Sequence, residues 1–450
     1  MGQKRKVAFL TLGCKVNQYE TDAMEEILEQ NGYEIVDFKD RADVYIINTC
    51  SVTNMADRKS RQMIHRAKKA NPDAIVVATG CYVQSAEEKM EAEHMADILI
   101  GNNKKKDIAD ILAHYFQSEK KETAPVLSEV IDIAQTKEYE NLSIHKVNEH
   151  TRAYIKIQDG CNQFCSYCII PYTRGRIRSK GPGDVIREVK HLAEKGYKEI
   201  VLTGIHLSSY GKDLGNVTLL DVIRQIQNIS GVERIRLGSL EPRIITEEFA
   251  GELKKCDKVC PHFHLSLQSG CDETLRRMNR KYTTEEYAKA LDILRKYYEH
   301  PALTTDVIVG FVGETEDEFE TTRRYLEKIN LYEMHIFKYS VREGTRAQKM
   351  SGHLPDVVKS ERSEILLSMT RQHKKEFEAW YIGKTEKVLL EEIVEKNGEK
   401  YFQGYTERYV KVAVKYDEKS DNFRQNQIVA VIIQGFLDEN LMYGKVSIEF

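Results

Sequence analysis

The chain has 450 residues, 41% of them hydrophobic and 30% charged, and a formal net charge of −3; this is too long for one core and is the make-up of a soluble protein of two or three domains. No apolar run approaches the ~18 residues of a membrane span, and no membrane partner is expected. The near-neutral charge neither demands nor excludes nucleic acid, so any RNA contact has to rest on local basic patches.

Lys4-Arg5-Lys6 followed by Val7 to Leu12 and Cys14 imitates a short lipoprotein signal, but the apolar part is only Val7 to Leu12 and reads better as a strand. A cytoplasmic location is therefore expected. In a reducing compartment the nine cysteines point to metal or catalysis more than to disulfides.

From residue 5 to about 115, short apolar runs alternate with amphipathic stretches, the pattern of a parallel sheet wrapped in helices. The predicted strands are Val7–Leu10, Val44–Ile47, Ile75–Ala78 and Ile98–Ile100. Cys14, Cys50 and Cys81 each follow one of the first three strands within a few residues. In an open α/β sheet the loops after the carboxyl ends of parallel strands share one edge, so these three are predicted to meet. Together they would form a three-thiolate site one ligand short of a closed cluster; the bland alternative is three unrelated buried thiols.

Asn17–Gln30 reads as a helix with Gly32 placed as its C′ glycine. Asp57–Ala70 reads as a second, stopped by Pro72 and carrying Arg58, Lys59, Arg61, Arg66, Lys68 and Lys69. That run is ordinarily a solvated face and is also a candidate for phosphate contact. Residues 116–150 lack sustained periodicity and read as a connector with at most one short strand, Val126–Ile133.

From Arg152 the rhythm becomes strand, loop, helix, repeated. Asp184 is placed to cap a helix ending before Gly196, and Thr283 with Glu286 makes a capping box. The strands are Arg152–Gln158, Glu199–Leu202, Arg234–Leu237, His262–Leu267, Leu303–Val309 and Glu333–Phe337. Six βα units are fewer than the eight of a closed barrel. Thr203-Gly204 follow the second strand, Ser266 and Gln268 end the fourth, Asp306 lies on the fifth, and Tyr339 and Ser340 follow the sixth. Any one of these suits an ordinary turn; on successive strands together they favour a nucleoside site. Cys256, Cys260 and Cys271 read as free thiols.

After the first of these strands stands Cys161-Asn-Gln-Phe-Cys165-Ser-Tyr-Cys168. Three thiolates in a Cys-x3-Cys-x2-Cys loop suit three corners of an iron-sulfur cube whose fourth iron stays open. A zinc site would want four ligands, and no fourth Cys or His lies nearby in sequence.

Pro355–Trp380 reads as one long helix leading to five short strands: Val388–Ile393, Tyr401–Tyr405, Tyr409–Val414, Ile428–Gln434 and Leu441–Ile448. That suggests a small β-barrel of the oligonucleotide-binding kind. Tyr401, Phe402, Tyr405, Arg408, Tyr409 and Lys411 put aromatics beside cations, which suits stacking on unpaired bases, although barrel packing uses such aromatics equally well.

The cysteine loop, with Tyr167 before its last cysteine, resembles the radical S-adenosylmethionine signature. Leu12-Gly-Cys14-Lys-Val-Asn17-Gln-Tyr-Glu20, Asn48-Thr-Cys50-Ser-Val-Thr53 and Gly160 through Arg178 resemble the methylthiotransferase family over nearly the full chain. The resemblance implies an N-terminal α/β domain (1–115), a connector (116–150), a partial (βα)6 barrel with a trailing helix (151–375) and a TRAM-like RNA-binding barrel (376–450).

It further implies two [4Fe-4S] clusters. The one on Cys161, Cys165 and Cys168 would cleave S-adenosylmethionine to a 5′-deoxyadenosyl radical, and the one on Cys14, Cys50 and Cys81 would hold the sulfur that is transferred, while a second S-adenosylmethionine gives the methyl group. Thr203-Gly204 would hold the methionine amino group.

The implied substrate is tRNA at its anticodon stem-loop, with sulfur donor and reductant unspecified. Family branches act on isopentenyladenosine, on threonylcarbamoyladenosine at position 37, or on a ribosomal-protein aspartate; the string around Cys14 is most similar to the threonylcarbamoyladenosine branch. The contrasting class is a non-catalytic RNA-binding protein with structural metal, which predicts zinc or one cluster and no cleavage of S-adenosylmethionine.

Overall fold

The computed structural model describes residues 4–117, 126–145, 151–416 and 424–447. The first domain is a six-stranded parallel sheet made of β1 (Lys6–Thr11), β2 (Glu34–Val36), β3 (Val44–Thr49), β4 (Ile75–Gly80), β5 (Ile98–Ile100) and β6 (Leu127–Glu129). The spatial order is β2-β1-β3-β4-β5-β6. β3 and β4 are buried throughout, as expected of central strands covered on both faces. The strand expected at Val126–Ile133 is three residues long and pairs with β5, so the connector closes the sheet edge. Parts of that connector lie outside the described residues.

Helix α1 (Lys15–Gln30) ends at Asn31 and then Gly32, whose φ of +86° supplies the left-handed stop. Helix α2 (Asn54–Ala70) starts earlier than expected because Thr53 caps it, its hydroxyl accepting from the Ala56 amide.

Six parallel strands form the second domain: β7 (Arg152–Asp159), β9 (Glu199–Gly204), β10 (Arg234–Leu237), β11 (His262–His264), β12 (Ala302–Val309) and β13 (Glu333–Lys338). The two-residue β8 (Arg178–Ser179) runs antiparallel to β7. The ladder splits into β10-β9-β7-β8 and β11-β12-β13, joined by the single bridges Ile235–Val259 and Leu240–Leu265. The strand predicted over His262–Leu267 is cut short there, and Ser266 and Gln268 sit in the loosened stretch; Gln268 takes a left-handed φ of +76°. The helix predicted to be capped by Asp184 is Pro182–Glu194, and its N-cap is Gly181. Pro182 fits the first helical position, which puts Asp184 in the first turn. Thr283 and Glu286 form the expected capping box.

The long helix Asp356–Ala379 leads to a closed barrel of β14 (Thr385–Lys396), β15 (Glu399–Thr406), β16 (Lys411–Lys415), β17 (Ile428–Asp438) and β18 (Leu441–Val446), in the order β14-β15-β16-β18-β17. β16 begins at Lys411, not Tyr409, because Tyr409 takes a left-handed φ of +67° in a turn; Ile448 lies outside the described residues. No helix among the described residues is long and apolar enough to cross a membrane.

This barrel docks on the starts of the central strands. Arg152 of β7 pairs with Glu391 at 2.7 Å and lies over the rings of Tyr405 and Tyr409, at 4.8 and 4.9 Å. Arg234 donates to the carbonyls of Tyr405 and Lys387, and Arg236 to that of Glu407. Tyr401 and Phe402 are buried, and Arg408 donates to the carbonyls of Glu299 and His300. The aromatic and cationic residues expected to meet unpaired bases are thus mostly spent inside the protein. A buried guanidinium between two rings satisfies the same chemistry a base would.

Candidate functional site

Cys14, Cys50 and Cys81 stand at the carboxyl ends of β1, β3 and β4, three adjacent strands. The register pairs Thr11 with Asn48, and Thr49 with Gly80, which brings the loops together. The approach is close: a Cβ on Gly13 (φ +107°) would sit 2.9 Å from both Cβ and Sγ of Cys50. Only glycine fits both that conformation and that gap. Cys14 is accessible and Cys50 and Cys81 are buried; desolvation by the surrounding protein raises the pKa of Cys14, and burial that of Cys50 to about 11, and each of these thiols also feels the charge of Cys81.

The strongest polar partner of this trio is Arg174. Its Nε donates to Cys81 Sγ at 3.3 Å, its two terminal nitrogens to Glu20 at 2.7 and 3.1 Å, and one of them to Asn17 Oδ1 at 2.7 Å. Around it, Glu20 pairs with Lys105, Lys156 and Arg174, while Asp159 pairs with Lys156, Arg174 and Arg178. Burial alone would raise both carboxyls, yet these cations hold Glu20 and Asp159 well below the usual carboxylate range. Four cations share two carboxylates, so surplus positive charge faces the thiols.

The second trio lies on the loop after β7. Gly160 (φ +69°) packs so tightly that a Cβ would come 1.8 Å from the Arg176 carbonyl oxygen. The loop is tied down by Cys161 N to the Gly175 carbonyl, Ser166 N to the Met278 carbonyl, and Asn279 Nδ2 to the Phe164 carbonyl. Burial pushes Cys161 up to about 11 and Cys168 to about 12. Arg280 donates to Cys165 Sγ at 3.2 Å and to the Ser266 carbonyl at 3.2 Å. A cleft of about 130 Å³ opens onto the three thiols, lined also by Gln163, Tyr167, His206, Ser266 and Gln268. Of the larger concavities, one of about 480 Å³ lies beside His145, Asp184 and His191, and one of about 490 Å³ touches the second loop at Phe164 but is lined by none of its thiols.

Of the predicted cofactor contacts, Tyr167, Ser266 and Gln268 line this cleft. Thr203 is buried on β9, and Gly204 packs on Gln158. Asp306 faces His264 at 3.3 Å, and their ligand atoms together with that of His335 lie within 4.8 Å of one another. Tyr339 is buried beside Phe311, and Ser340 accepts from the Asn54 amide. Cys256, Cys260 and Cys271 are buried, and all nine thiols are free. Arg174, Arg280, Asn17, Glu20 and His206 carry the electrostatics of the site; Asn17, Glu20 and Arg174 fall inside the motifs around the cysteines, whereas Arg280 and His206 had no sequence signal.

Neither trio gathers its sulfurs within 4.8 Å of one another, as His264, Asp306 and His335 gather theirs. A single zinc draws its thiolates closer than that, whereas a cube taking one thiolate on each of three irons spreads them. The donor sets fit iron-sulfur cubes.

Residues 6–101 match the model described as "Uncharacterized protein family UPF0004", and residues 155–326 match the radical SAM superfamily. The chain is 42% identical over 92% of its length to the threonylcarbamoyladenosine tRNA methylthiotransferase MtaB of Bacillus subtilis, of which it covers 91%. The chain belongs to the methylthiotransferase family of radical S-adenosylmethionine enzymes.

The methylthiotransferase of Aquifex aeolicus with the same name is 41% identical over 95% of this chain and 100% of its own length. A tRNA-2-methylthio-N(6)-dimethylallyladenosine synthase from Acetivibrio thermocellus is 35% identical over 90% of this chain and 84% of its own. Among solved structures, the radical S-adenosylmethionine methyltransferase TsrM of Kitasatospora setae shares the fold, with a TM-score of 0.56 at 16% identity over 75% of each chain. Family membership sets aside the non-catalytic RNA-binding alternative.

Proposed function

We propose that this methylthiotransferase inserts a methylthio group at C2 of N6-threonylcarbamoyladenosine 37 in the anticodon stem-loop of tRNA, in the cytoplasm. The observation that carries the reading is the meeting of Cys14, Cys50 and Cys81 at adjacent strand ends beside Arg174, in a chain 41–42% identical to enzymes named for this substrate. Cys161, Cys165 and Cys168 hold one [4Fe-4S] cluster and Cys14, Cys50 and Cys81 the other.

When bound, the clusters and S-adenosylmethionine supply the electron, radical, sulfur and methyl group that the C2–H bond requires, since adenine offers there neither an acidic proton nor a leaving group. The protein's own contribution is electrostatic and positional. Arg280 and Arg174 each set a guanidinium on one sulfur of a trio, which favours the thiolate. His206 donates its backbone amide to Gln158, fixing the cleft wall, and is kept neutral by burial, its pKa lowered to about 4.

The closed C-terminal barrel and the exposed Arg58, Lys59, Arg66 and Lys69 of α2 are assigned to the tRNA backbone, the former as a TRAM-like module. The 35% identity to dimethylallyladenosine synthases makes isopentenyladenosine the rival substrate. Mass spectrometry of nucleosides from total tRNA, with and without the gene, decides between them. Loss of the methylthio form of threonylcarbamoyladenosine, with its precursor accumulating, is expected; unchanged threonylcarbamoyl derivatives would overturn the reading. About eight irons per reconstituted chain are expected, against about four for the barrel cluster alone.

A further inference from the structure

Lys15 follows Cys14 directly and opens α1. It keeps accessible surface, yet protein surrounds it: the ring of Tyr154 lies 5.6 Å from Nζ, and Arg152, Arg236 and Glu199 stand near. It is therefore an accessible ammonium with charged groups of the second domain nearby. His262 of β11 lies within reach of the charges of Arg236, Lys15, His264 and His335 together.

The charges around Lys15 do not balance. Glu199 is spent on Arg234 and Arg236, and Asp306 faces His264. Arg152 is held by Glu391 and Tyr409, and Arg236 by Glu199 and the Glu407 carbonyl. Lys15 has neither a hydrogen bond nor an ion pair among the described residues. Lys15 is thus an accessible ammonium beside Cys14, free to pair with an anion that a ligand brings.

The substrate proposed above brings one. The threonylcarbamoyl group ends in a carboxylate, which unmodified and isopentenyl adenosine lack. In adenine, N1 alone separates C2 from C6, the carbon that bears the substituent. A base that turns C2 to the Cys14, Cys50 and Cys81 trio therefore directs its N6 substituent past the residue next to Cys14. We propose that Lys15 binds the threonylcarbamoyl carboxylate and so selects this substrate against isopentenyladenosine. The inference rests on the substrate reading above.

The test measures binding of three anticodon stem-loops to reconstituted holoenzyme, carrying at position 37 threonylcarbamoyladenosine, its methyl ester or isopentenyladenosine. A charge-assisted contact predicts that the free acid binds roughly tenfold or more tighter than the ester. Lys15→Met should bind acid and ester alike, Lys15→Arg should keep most of the preference, and Lys15→Glu should invert it. Iron content measured alongside separates a lost cluster from lost recognition, and the acid-to-ester ratio in the unaltered enzyme tests the charge without any substitution.

Equal binding of acid and ester by that enzyme, or an undiminished ratio in Lys15→Met, would overturn the inference. An enzyme that prefers and modifies the isopentenyl stem-loop would instead overturn the substrate reading. One that prefers both threonylcarbamoyl forms to isopentenyl but ignores the ester and Lys15 would leave that reading standing and remove only this inference.

Discussion

Arg174→Met is the substitution that most directly probes how the two trios are joined. The side chain is fully buried and reaches Cys81, Asn17, Glu20 and Asp159. Removing one member of a buried charge pair costs about 3–5 kcal/mol when its partner is stranded. Here the partners are not stranded, because Glu20 keeps Lys156 at 2.7 Å and Lys105 at 3.2 Å, and Asp159 keeps Lys156 at 2.7 Å. The loss belongs at the low end, about 3 kcal/mol, read as a lower urea midpoint of the apoprotein under anaerobic conditions. The thiols lose more, since the guanidinium on Cys81 goes and the surplus positive charge falls by one. Reconstituted Arg174→Met is expected to hold about four irons, not about eight, while still cleaving S-adenosylmethionine. Arg174→Lys should recover part of the stability but not the iron, because one ammonium cannot serve Nε and both terminal nitrogens at once. An Arg174→Met protein with the unaltered midpoint and a full complement of iron would refute the argument that this network sustains the Cys14, Cys50 and Cys81 site.

Three further outcomes follow from the same geometry. Cys50→Ala should release 5′-deoxyadenosine from S-adenosylmethionine yet form no methylthio product, assayed on tRNA by mass spectrometry; full product would remove the second cluster from the account. Gly160→Ala forces a Cβ to 1.8 Å from the Arg176 carbonyl oxygen at φ +69°, so beyond the ~1–2 kcal/mol of a left-handed alanine the cysteine loop must shift. Its melting temperature and S-adenosylmethionine cleavage should both drop, and unaltered values would show that the loop tolerates displacement. The third concerns pH: burial holds His206 to about 4, against ~6.5 unfolded, so its contribution is complete above pH 6.5 and is lost as pH falls towards 4. The difference is about 3 kcal/mol, visible as a falling urea midpoint of the apoprotein across that window. His206→Gln should flatten that slope, and an unchanged slope would count against a buried neutral His206.

The features legible in the sequence are those fixed by neighbours along the chain. The strand runs before Cys14, Cys50 and Cys81, the Thr283–Glu286 box and the Cys161–Cys168 loop all express local chemistry, and the trio at the sheet edge follows from parallel-strand geometry. Glu20 and Arg174 fall inside stretches that carry the family resemblance, yet their roles, like that of Lys156, were not legible, because what makes all three special is complete burial, a tertiary fact. Tyr405 and Tyr409 show the opposite difficulty: rings beside cations have the same pattern whether they stack on bases or enclose Arg152, whose bond to Tyr409 spans 257 residues. The Gly181 cap in place of Asp184 is a local miss, since Pro182 at the first helical position fixes the start three residues earlier than a cap at Asp184 would.

The segment from Gly160 to Arg178 explains why the two sites come as a unit. It supplies three thiols to one trio and then, after the five-residue helix Ile170–Arg174, about 8 Å long at 1.5 Å per residue, the guanidinium on Cys81 of the other. Arg178, four residues on, pairs with Asp159 at the end of β7, just before the thiol loop begins. The spacing between the trios is therefore held by a short covalent path and a buried ion network, not by a flexible docking of two domains. A displacement of the Cys161 loop must move Arg174 and with it the partner of Cys81. For a reaction in which one site activates the base and the other delivers sulfur to the same carbon, such coupling keeps both at a fixed distance from one substrate.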